Sequence, residues 1–388
     1  MEAYIPYLFY LAVIFILGIL ITAATNKFKL SNIIFLVLAG SFLKILNFDF
    51  FSDTIVLILS SLALILIILE TTLSLDINHI LKKFYGMIKF SIAYFLICTY
   101  FITLLIFQLF DLPGKGFELF ALAFLLSIIV YAADPSIAFE FQKKRKSKIF
   151  QMLNIEGIIS SPLIVVFSLF LINFLAFPDI SFSQGMSYQL LEILKQIFIA
   201  VVLGFVLAWS LIGFLSNFKL NRELTSLLII TLGIIAFVFS EVVNVNGSLS
   251  VAIFGLILAG YKKSKPIKHT MNIYAHPLYI VFFILFGLKS FFPSPLLWVK
   301  GLGLFLVYLM LRFASISIFL KKLKLNQKIF MTFNVAKGIE VAIVLFIMQI
   351  SLKHIPGIEQ IISLGFMFFV LSYLVSTVVN KIPLAGKV

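Results

Sequence analysis

The chain has 388 residues, of which 62% are hydrophobic and 12% charged, and its mean hydropathy is +1.16. Because ordinary soluble domains are only about half apolar, this composition excludes a soluble protein and predicts one transmembrane domain over residues 1–388, with no soluble domain. The net charge of +14 does not indicate a nucleic-acid partner, since the basic residues are scattered in short loops and form no DNA- or RNA-binding motif.

Apolar runs long enough to cross a lipid bilayer, which takes about 20 residues, fill most of the chain. The predicted spans are 5–24, 31–47, 54–74, 87–110, 118–138, 150–174, 192–215, 223–243, 247–261, 275–293, 296–319, 329–350 and 358–379. The first run lacks a basic start and a cleavage site of small residues, so we expect it to be retained as a span. The predicted fold class is an all-α polytopic membrane protein with about 13 transmembrane helices.

Basic residues alternate between successive loops. Every second loop, together with the C-terminal tail, is basic, and this set holds 22 of the 30 Lys and Arg residues. Cytoplasmic loops are enriched in Lys and Arg. We therefore expect the N-terminus outside, the C-terminus in the cytoplasm, and a location in the inner (plasma) membrane of a prokaryote.

An odd number of spans permits an internal symmetry. Spans 1–6 and 8–13 can form two inverted repeats joined by span 7, a construction found in many secondary transporters. Under this arrangement spans 5 and 12 are counterparts, and each carries a charge beside a helix breaker, in "VYAADPSIAF" and "NVAKGIEVAIV". We therefore predict that helices 5 and 12 are interrupted.

Four acids lie inside predicted spans: Glu70, Asp134, Glu156 and Glu340. A charged residue at the centre of a spanning helix costs about 2.5–3.5 kcal/mol on the insertion scale. This cost favours a functional or pairing role for each of the four acids.

Asp134 and Pro135 form the most informative dipeptide. Proline removes a backbone donor and leaves a carbonyl unpaired one turn earlier, and the aspartate supplies a hard anionic oxygen suited to a small cation or a proton. A helix broken at the membrane midplane exposes carbonyls to an ion in transporters. The alternative interpretation is a simple kink with a solvated aspartate.

Lys337 and Gly338 in span 12 mirror this dipeptide with the opposite charge. The lysine can neutralise the facing ends of interrupted helices or pair with a buried acid. Glu156 is the preferred partner because pairing lowers the cost of both charges, and Glu340, three residues after Lys337, is the competitor. For Arg312, the other buried base, we expect a structural contact to helix-end carbonyls.

Glu70 is followed by Thr71 and Thr72, so one helical turn offers a carboxylate and two hydroxyls. These groups can form a cation relay, or they are only the polar end of span 3. No catalytic motif for a nucleophile with its base, a metal centre or a phosphate loop is present. We therefore expect no enzymatic activity, no cofactor and no bound metal other than a transported monovalent cation.

Four motifs in order resemble the monovalent cation/proton antiporters, in the sodium/proton exchanger branch. They are "LETTLSLD" at 69–76, "ADPSIA" at 133–138, "IEGIISSPLIVV" at 155–166 and "AKGIEVAIV" at 336–344. They look like the family's third-span glutamate motif, its Thr-Asp-Pro helix break, its Glu-Ser-x-x-Asn-Asp-Pro segment and its Arg/Lys-Gly motif. The resemblance covers nearly the whole chain.

The resemblance implies a secondary active transporter that exchanges sodium, or alternatively lithium or potassium, for protons by alternating access. It implies a homodimer in the lipid bilayer and interrupted helices 5 and 12 that cross near a central ion site. Asp134 is then the helix-break acid and Glu70 a possible ligand, while Glu156 and Lys337 form a structural ion pair.

This chain departs from the family pattern where the family places Asn-Asp. Ser160 and Ser161 stand there, and a serine hydroxyl can coordinate a cation but carries no charge and releases no proton at neutral pH. Three interpretations follow. The chain still exchanges a cation for protons, with Asp134 titrating and Glu340 as a replacement acid; or it is a uniporter or channel-like relative with altered coupling; or it is a non-transporting sensor.

Overall fold

The computed structural model describes residues 5–28, 31–46, 48, 52–73, 85–110, 116–133, 148–176, 185–218, 220–243, 245, 247–261, 267–290 and 293–381. Within these residues the secondary structure is helical. The helices are α1 (Ile5–Phe28), α2 (Asn32–Ile45), α3 (Asp53–Leu73), α4 (Tyr85–Leu109), α5 (Gly116–Tyr131), α6 (Lys148–Ala176), α7 (Gly185–Asn217), α8 (Arg222–Val242), α9 (Gly247–Ala259), α10 (Ile267–Lys289), α11 (Pro295–Phe319), α12 (Leu325–Phe333), α13 (Ile339–Ser351) and α14 (Ile358–Lys381).

Every predicted span overlaps one of these helices, and within the described part of the chain only the twelfth span is divided between two, α12 and α13. Among the described residues, seven helices are long and apolar enough to cross a membrane: α1, α4, α6, α7, α8, α11 and α14. Shorter apolar helices occupy the other six predicted spans. The prediction of an all-α membrane protein is confirmed.

The two predicted helix breaks differ in how much of each is described. Span 12 is interrupted between Phe333 and Ile339, as predicted. In span 5, helix α5 ends at Tyr131, and Asp134 and Pro135 lie outside the described residues.

Packing divides the chain into two compact units. The first comprises residues 1–53, 83–175 and 283–388. In it, α4 packs against α5 and α11, and α14 packs against α13, α5 and α11. Gly40 of α2 and Gly287 at the end of α10 let these two helices approach closely, because a Cβ at either glycine would collide with backbone atoms of the other helix. This unit carries most of the buried charges.

The second unit comprises residues 54–82 and 176–282. Helix α9 packs against α7 and α8. An apolar cluster from α3, α7, α8 and α9 forms its core, with Leu69, Leu211, Ile229 and Phe254 among its buried members. Burial of these side chains stabilises the unit and fixes the end of α3, where Glu70 lies.

Candidate functional site

The interruption of span 12 is supported by polar side chains of α14. The non-helical segment 334–338 lies between α12 and α13. The backbone N–H of Val335 donates to Ser376 Oγ (3.0 Å), and that of Lys337 donates to Ser372 Oγ (3.2 Å). Non-helical backbone at membrane depth persists only where the protein satisfies its polar groups. The two serines meet this requirement, so the break is a stable part of the fold.

Lys337 holds the end of α5. Its ammonium donates to the carbonyl oxygens of Val130 (2.6 Å) and Ala132 (2.5 Å) and to the Tyr308 hydroxyl (3.0 Å), and its side chain is fully buried. The last carbonyls of a helix lack intrahelical donors and form the negative end of its dipole. Of the two roles that the sequence left open, Lys337 therefore has the first, neutralising the end of an interrupted helix.

Glu156 pairs with Arg312. The Arg312 Nη1 and Nη2 atoms donate to the two carboxylate oxygens at 2.6 and 2.9 Å, and both side chains are buried. The Nε of Arg312 donates to the Met331 carbonyl near the end of α12 (3.2 Å), which is the kind of helix-end contact expected for this residue. One arginine thus joins α11, α6 and α12.

The predicted ion pair between Glu156 and Lys337 is wrong. The planar fork of a guanidinium satisfies both oxygens of one carboxylate at once, which a lysine ammonium cannot do. The ammonium of Lys337 is used by the carbonyls of α5. In the sequence Arg312 is marked only as a buried base, whereas the lysine-glycine motif favours Lys337 as the partner of Glu156.

The two adjacent serines of α6 contact different helices, the end of α5 and the start of α13. Ser160 Oγ donates to the Ala133 carbonyl just beyond α5 (3.0 Å), and Ser161 Oγ donates to Glu340 Oε1 of α13 (2.8 Å). Each hydroxyl also lies within hydrogen-bond distance of the Gly157 carbonyl, at 3.1 and 2.9 Å. The segment where the resembling family keeps Asn-Asp therefore contacts both the end of α5 and the start of α13.

Glu340 lies in the first turn of α13 and is only 6% exposed. Its carboxylate folds back over Gly338, the residue before the helix, so a Cβ at that position would collide with both carboxylate oxygens. Gly338 has an ordinary negative φ of −68°, so glycine is required here for space and not for backbone conformation. The N-terminus of a helix stabilises a nearby negative charge.

Glu70 lies in the second unit and has a partner that sequence reasoning missed. The Tyr279 hydroxyl donates to Glu70 Oε2 at 2.6 Å. The Thr72 hydroxyl donates to the Ile68 carbonyl (2.6 Å), a local bond within α3. The side chain of Thr71 lies outside the described residues, so the predicted relay of one carboxylate and two hydroxyls stays a prediction. No motif marks Tyr279, which looks like one more aromatic residue of an apolar span.

The first unit therefore brings Ser160, Ser161, Glu340, Glu156 and Lys337 together with the end of α5 and the break of span 12. The Glu340 carboxylate lies beside hydroxyl and carbonyl oxygens, which are hard ligands suited to an alkali cation or a proton. Asp134 and Pro135 adjoin the described end of span 5 in sequence but are themselves outside the described residues.

Comparison with known proteins gives two kinds of relatives. The K(+)/H(+) antiporters NhaP2 of Shewanella sp. (strain ANA-3) and of Shewanella oneidensis are 28% identical over 187 residues, which is 46% of this chain and 32% of theirs. The chain thus matches about a third of the length of these curated relatives.

Two solved structures of the sodium proton antiporter MjNhaP1 from Methanocaldococcus jannaschii are similar in fold. One covers 97% of this chain and 100% of its own, with 18% identity and a TM-score of 0.79. The other covers 100% and 98%, with 19% identity and the same TM-score. The chain thus has the sodium/proton antiporter fold.

The family profile described as "Sodium/hydrogen exchanger, transmembrane" matches residues 11–385. This match extends over both helix breaks, the serine pair and all four acids of the predicted spans. The protein is an integral membrane protein, and it belongs to the sodium/hydrogen exchanger family.

Proposed function

We propose that this protein is a secondary active transporter, and not an enzyme, that exchanges a monovalent cation for protons by alternating access. The observation that carries the proposal is the polar cluster at the interrupted helix. Lys337 of the break binds the end of α5, and Glu340 at the start of α13 contacts Ser161. A carboxylate that binds a cation cannot also keep its proton, and this competition couples the two fluxes.

We propose sodium as the main exchanged cation, with lithium and potassium as the alternatives. The similar solved structures are described as sodium proton antiporters, whereas the curated relatives are described as K(+)/H(+) antiporters. The two groups of relatives differ in the named cation, so the three cations must be compared directly in one preparation.

The proposal extends to topology and assembly. The alternation of loop charge supports an N-terminus outside and a C-terminus in the cytoplasm of a prokaryotic inner membrane. The family resemblance supports a homodimer. Cysteine accessibility in loops on the two sides, in cells, tests the orientation, and the mass of the purified protein in detergent tests the dimer.

Proton flux in proteoliposomes tests the exchange. A dye inside the vesicles reports internal pH while sodium, lithium or potassium is added outside, over a series of external pH values. We expect proton movement that depends on the added cation and saturates with its concentration. Folded, monodisperse protein that moves no protons with any of the three cations would overturn the proposal.

A second candidate function is transport with altered or lost proton coupling, as a uniporter, a channel-like protein or a non-transporting sensor. It is favoured by the serines at 160 and 161, which bring no acid to the position where the family pattern has one. Uptake of radioactive sodium without proton movement would support a uniporter. Sodium binding without any flux would support a sensor.

A further inference from the structure

We infer that the loop between α11 and α12 binds the anionic headgroups of membrane phospholipids. The binding surface is a group of four lysines that we call the lysine patch: Lys321, Lys322, Lys324 and Lys328. The ligand is a glycerophospholipid with a negatively charged headgroup, such as phosphatidylglycerol, in the leaflet beside the loop. This binding does not require that the protein exchange ions.

A tight turn presents the first two lysines of the patch. Helix α11 ends at Phe319. The Leu323 N–H donates to the Leu320 carbonyl at 3.1 Å, which closes a turn of four residues. Lys321 and Lys322 are the two central residues of this turn, and both are exposed. Their ammonium groups therefore extend from neighbouring positions of a fixed backbone.

The start of α12 contributes the other two lysines. Lys324 precedes the helix, and its backbone N–H donates to Gln327 Oε1 at 3.1 Å. Lys328 lies four residues later, a spacing that brings two side chains to the same face of a helix. The first turn of α12 contains no acid, although the N-terminus of a helix favours negative charge. The lysines add positive charge to the positive end of this helix, so an external anion is favoured there.

The described part of the chain does not neutralise the lysine patch. None of the four ammonium groups forms an ion pair with a described residue, and the sequence contains no Asp or Glu between Glu241 and Glu340. Clusters of about four to eight Lys and Arg on the cytoplasmic side of a transmembrane helix are typical of binding to anionic lipids. This loop is one of those predicted to be cytoplasmic. Lipid headgroups can therefore supply the counter-charge.

Exposed apolar side chains flank the lysine patch. Ile318 and Phe319 at the end of α11 are 58% and 42% exposed, and Leu325 at the start of α12 is 62% exposed. In a membrane, apolar side chains at this boundary contact acyl chains. Lysine side chains beside them place their methylene groups against lipid and their ammonium groups among the headgroups. This combination favours a phospholipid over free phosphate, because a free anion offers no contact to the apolar side chains.

The position of the patch bears on the depth of the break in span 12. Helix α12 has nine residues and is thus about 14 Å long at about 1.5 Å per residue. The hydrocarbon core of a bilayer is about 30 Å thick. A helix of this length that starts at the headgroups and runs along the membrane normal ends near the midplane, where the segment 334–338 follows.

Hydrogen bonds connect α12 to its surroundings and to the break. Arg312 Nε donates to the Met331 carbonyl (3.2 Å), and Asn334 Nδ2 donates to the Phe330 carbonyl (2.8 Å). A restraint on the start of α12 is therefore transmitted to the break. Lipid bound at the lysine patch helps to hold the break at its depth.

Hydrogen exchange of the full chain in lipid nanodiscs tests the inference without relying on transport. One set of discs contains phosphatidylcholine alone, and the other contains added phosphatidylglycerol. We expect the anionic lipid to slow amide exchange in peptides covering the loop and α12 by about threefold to tenfold. In about 1 M salt, where the Debye length falls to about 3 Å, this difference should shrink, and a difference that salt leaves unchanged would contradict the inference.

Variants of the patch make the test specific. Lys→Gln at all four positions should remove the effect of phosphatidylglycerol, whereas Lys→Arg at all four should retain it, because only charge is required. The control is Lys27→Gln combined with Arg222→Gln, which removes two exposed charges outside the patch and should leave the effect intact. If the fourfold Gln variant does not fold, Lys321→Gln combined with Lys322→Gln replaces it, and undiminished protection of α12 would contradict the inference.

The outcomes separate this inference from the proposed function. Equal exchange of the wild-type protein in both lipids, or the same lipid effect in the fourfold Gln variant, would overturn the inference. Equal protection by glycerol 3-phosphate dissolved around phosphatidylcholine discs would show that the patch binds free phosphate, and would overturn the assignment to lipid. Protection that depends on lipid and on the patch, in a protein that moves no protons, would support the inference and overturn antiport.

Discussion

Two buried carboxylates, Glu156 and Glu340, are held in opposite ways, although both are linked to the same stretch of α6. Glu156 belongs to α6 and is bound at both oxygens by Arg312. Glu340 belongs to α13 and is bound by the Ser161 hydroxyl, five residues further along α6. The first contact joins a carboxylate to a guanidinium, and the second joins a carboxylate to a hydroxyl.

The same helix, α6, thus takes part in two contacts that differ in rigidity. A bidentate pair between buried charges is rigid, since breaking it leaves two uncompensated ions. A carboxylate beside a hydroxyl has a partner that can either donate or accept. Glu156 therefore has a rigid contact with Arg312, whereas Glu340, beside the lysine-glycine motif, has a contact with a hydroxyl that can either donate or accept.

The largest effect is expected from breaking the Glu156–Arg312 pair. Arg312→Gln or Glu156→Gln alone should lower the free energy of unfolding by about 3–5 kcal/mol, because the remaining charge is buried without its partner. The double variant should lose less than either single variant. Unfolding in detergent measures this, with Arg222→Gln at an exposed position as the control. A loss below about 1 kcal/mol in both single variants would show that the pair is not structural.

A smaller loss is expected at Lys337. Lys337→Met leaves the Val130 and Ala132 carbonyls without this donor, which costs about 1–3 kcal/mol, and removal of a buried charge offsets part of the cost. Peptides covering the end of α5 should also exchange amide hydrogen faster, as measured by mass spectrometry. Lys27→Met, at an exposed position of α1, is the control, and equal exchange in both variants would contradict the role of Lys337.

Gly338→Ala is expected to affect binding more than folding. Its Cβ would collide with the Glu340 carboxylate oxygens, so the carboxylate must leave its position beside Ser161. We expect sodium affinity to fall by about tenfold, corresponding to about 1.4 kcal/mol, with a smaller change in thermal stability. Gly303→Ala is the matched control, since a Cβ there meets no atom within 4 Å. Equal sodium affinities of the two variants would contradict the interpretation of Glu340 as a replacement acid.

The described helices and the break in span 12 were predictable because the physical signals behind them are local. Apolar runs of membrane length marked each span, and Lys337-Gly338 marked the interruption that lies between α12 and α13. The cost of burying charge in a membrane also identified Glu156 and Glu340 as residues with partners. These inferences need only the neighbours of a residue in the chain.

The partners themselves were not predictable, because they depend on which faces of distant helices meet. Glu156 and Arg312 are 156 residues apart in the chain, and Ser161 and Glu340 are 179 apart. The lysine-glycine motif favoured Lys337 as the partner of Glu156. The planar guanidinium of Arg312 fits both carboxylate oxygens, however, and it forms the pair. Tyr279 beside Glu70 carries no sequence signal that distinguishes it from other aromatic residues of the spans.

The smallest effects are expected from substitution of the two serines, Ser160 and Ser161. Ser160→Ala removes a bond to the Ala133 carbonyl and should cost about 1 kcal/mol of stability, with sodium affinity and the pH profile of transport unchanged. Ser161→Ala should cost a similar amount of stability, but it should weaken sodium binding and change the pH profile, because Glu340, the proposed replacement acid, loses the hydrogen bond from Ser161. Both variants delete one hydroxyl from adjacent positions of one helix, so each is the control for the other. Identical pH profiles in the two variants would mean that the contact between Ser161 and Glu340 only supports the fold.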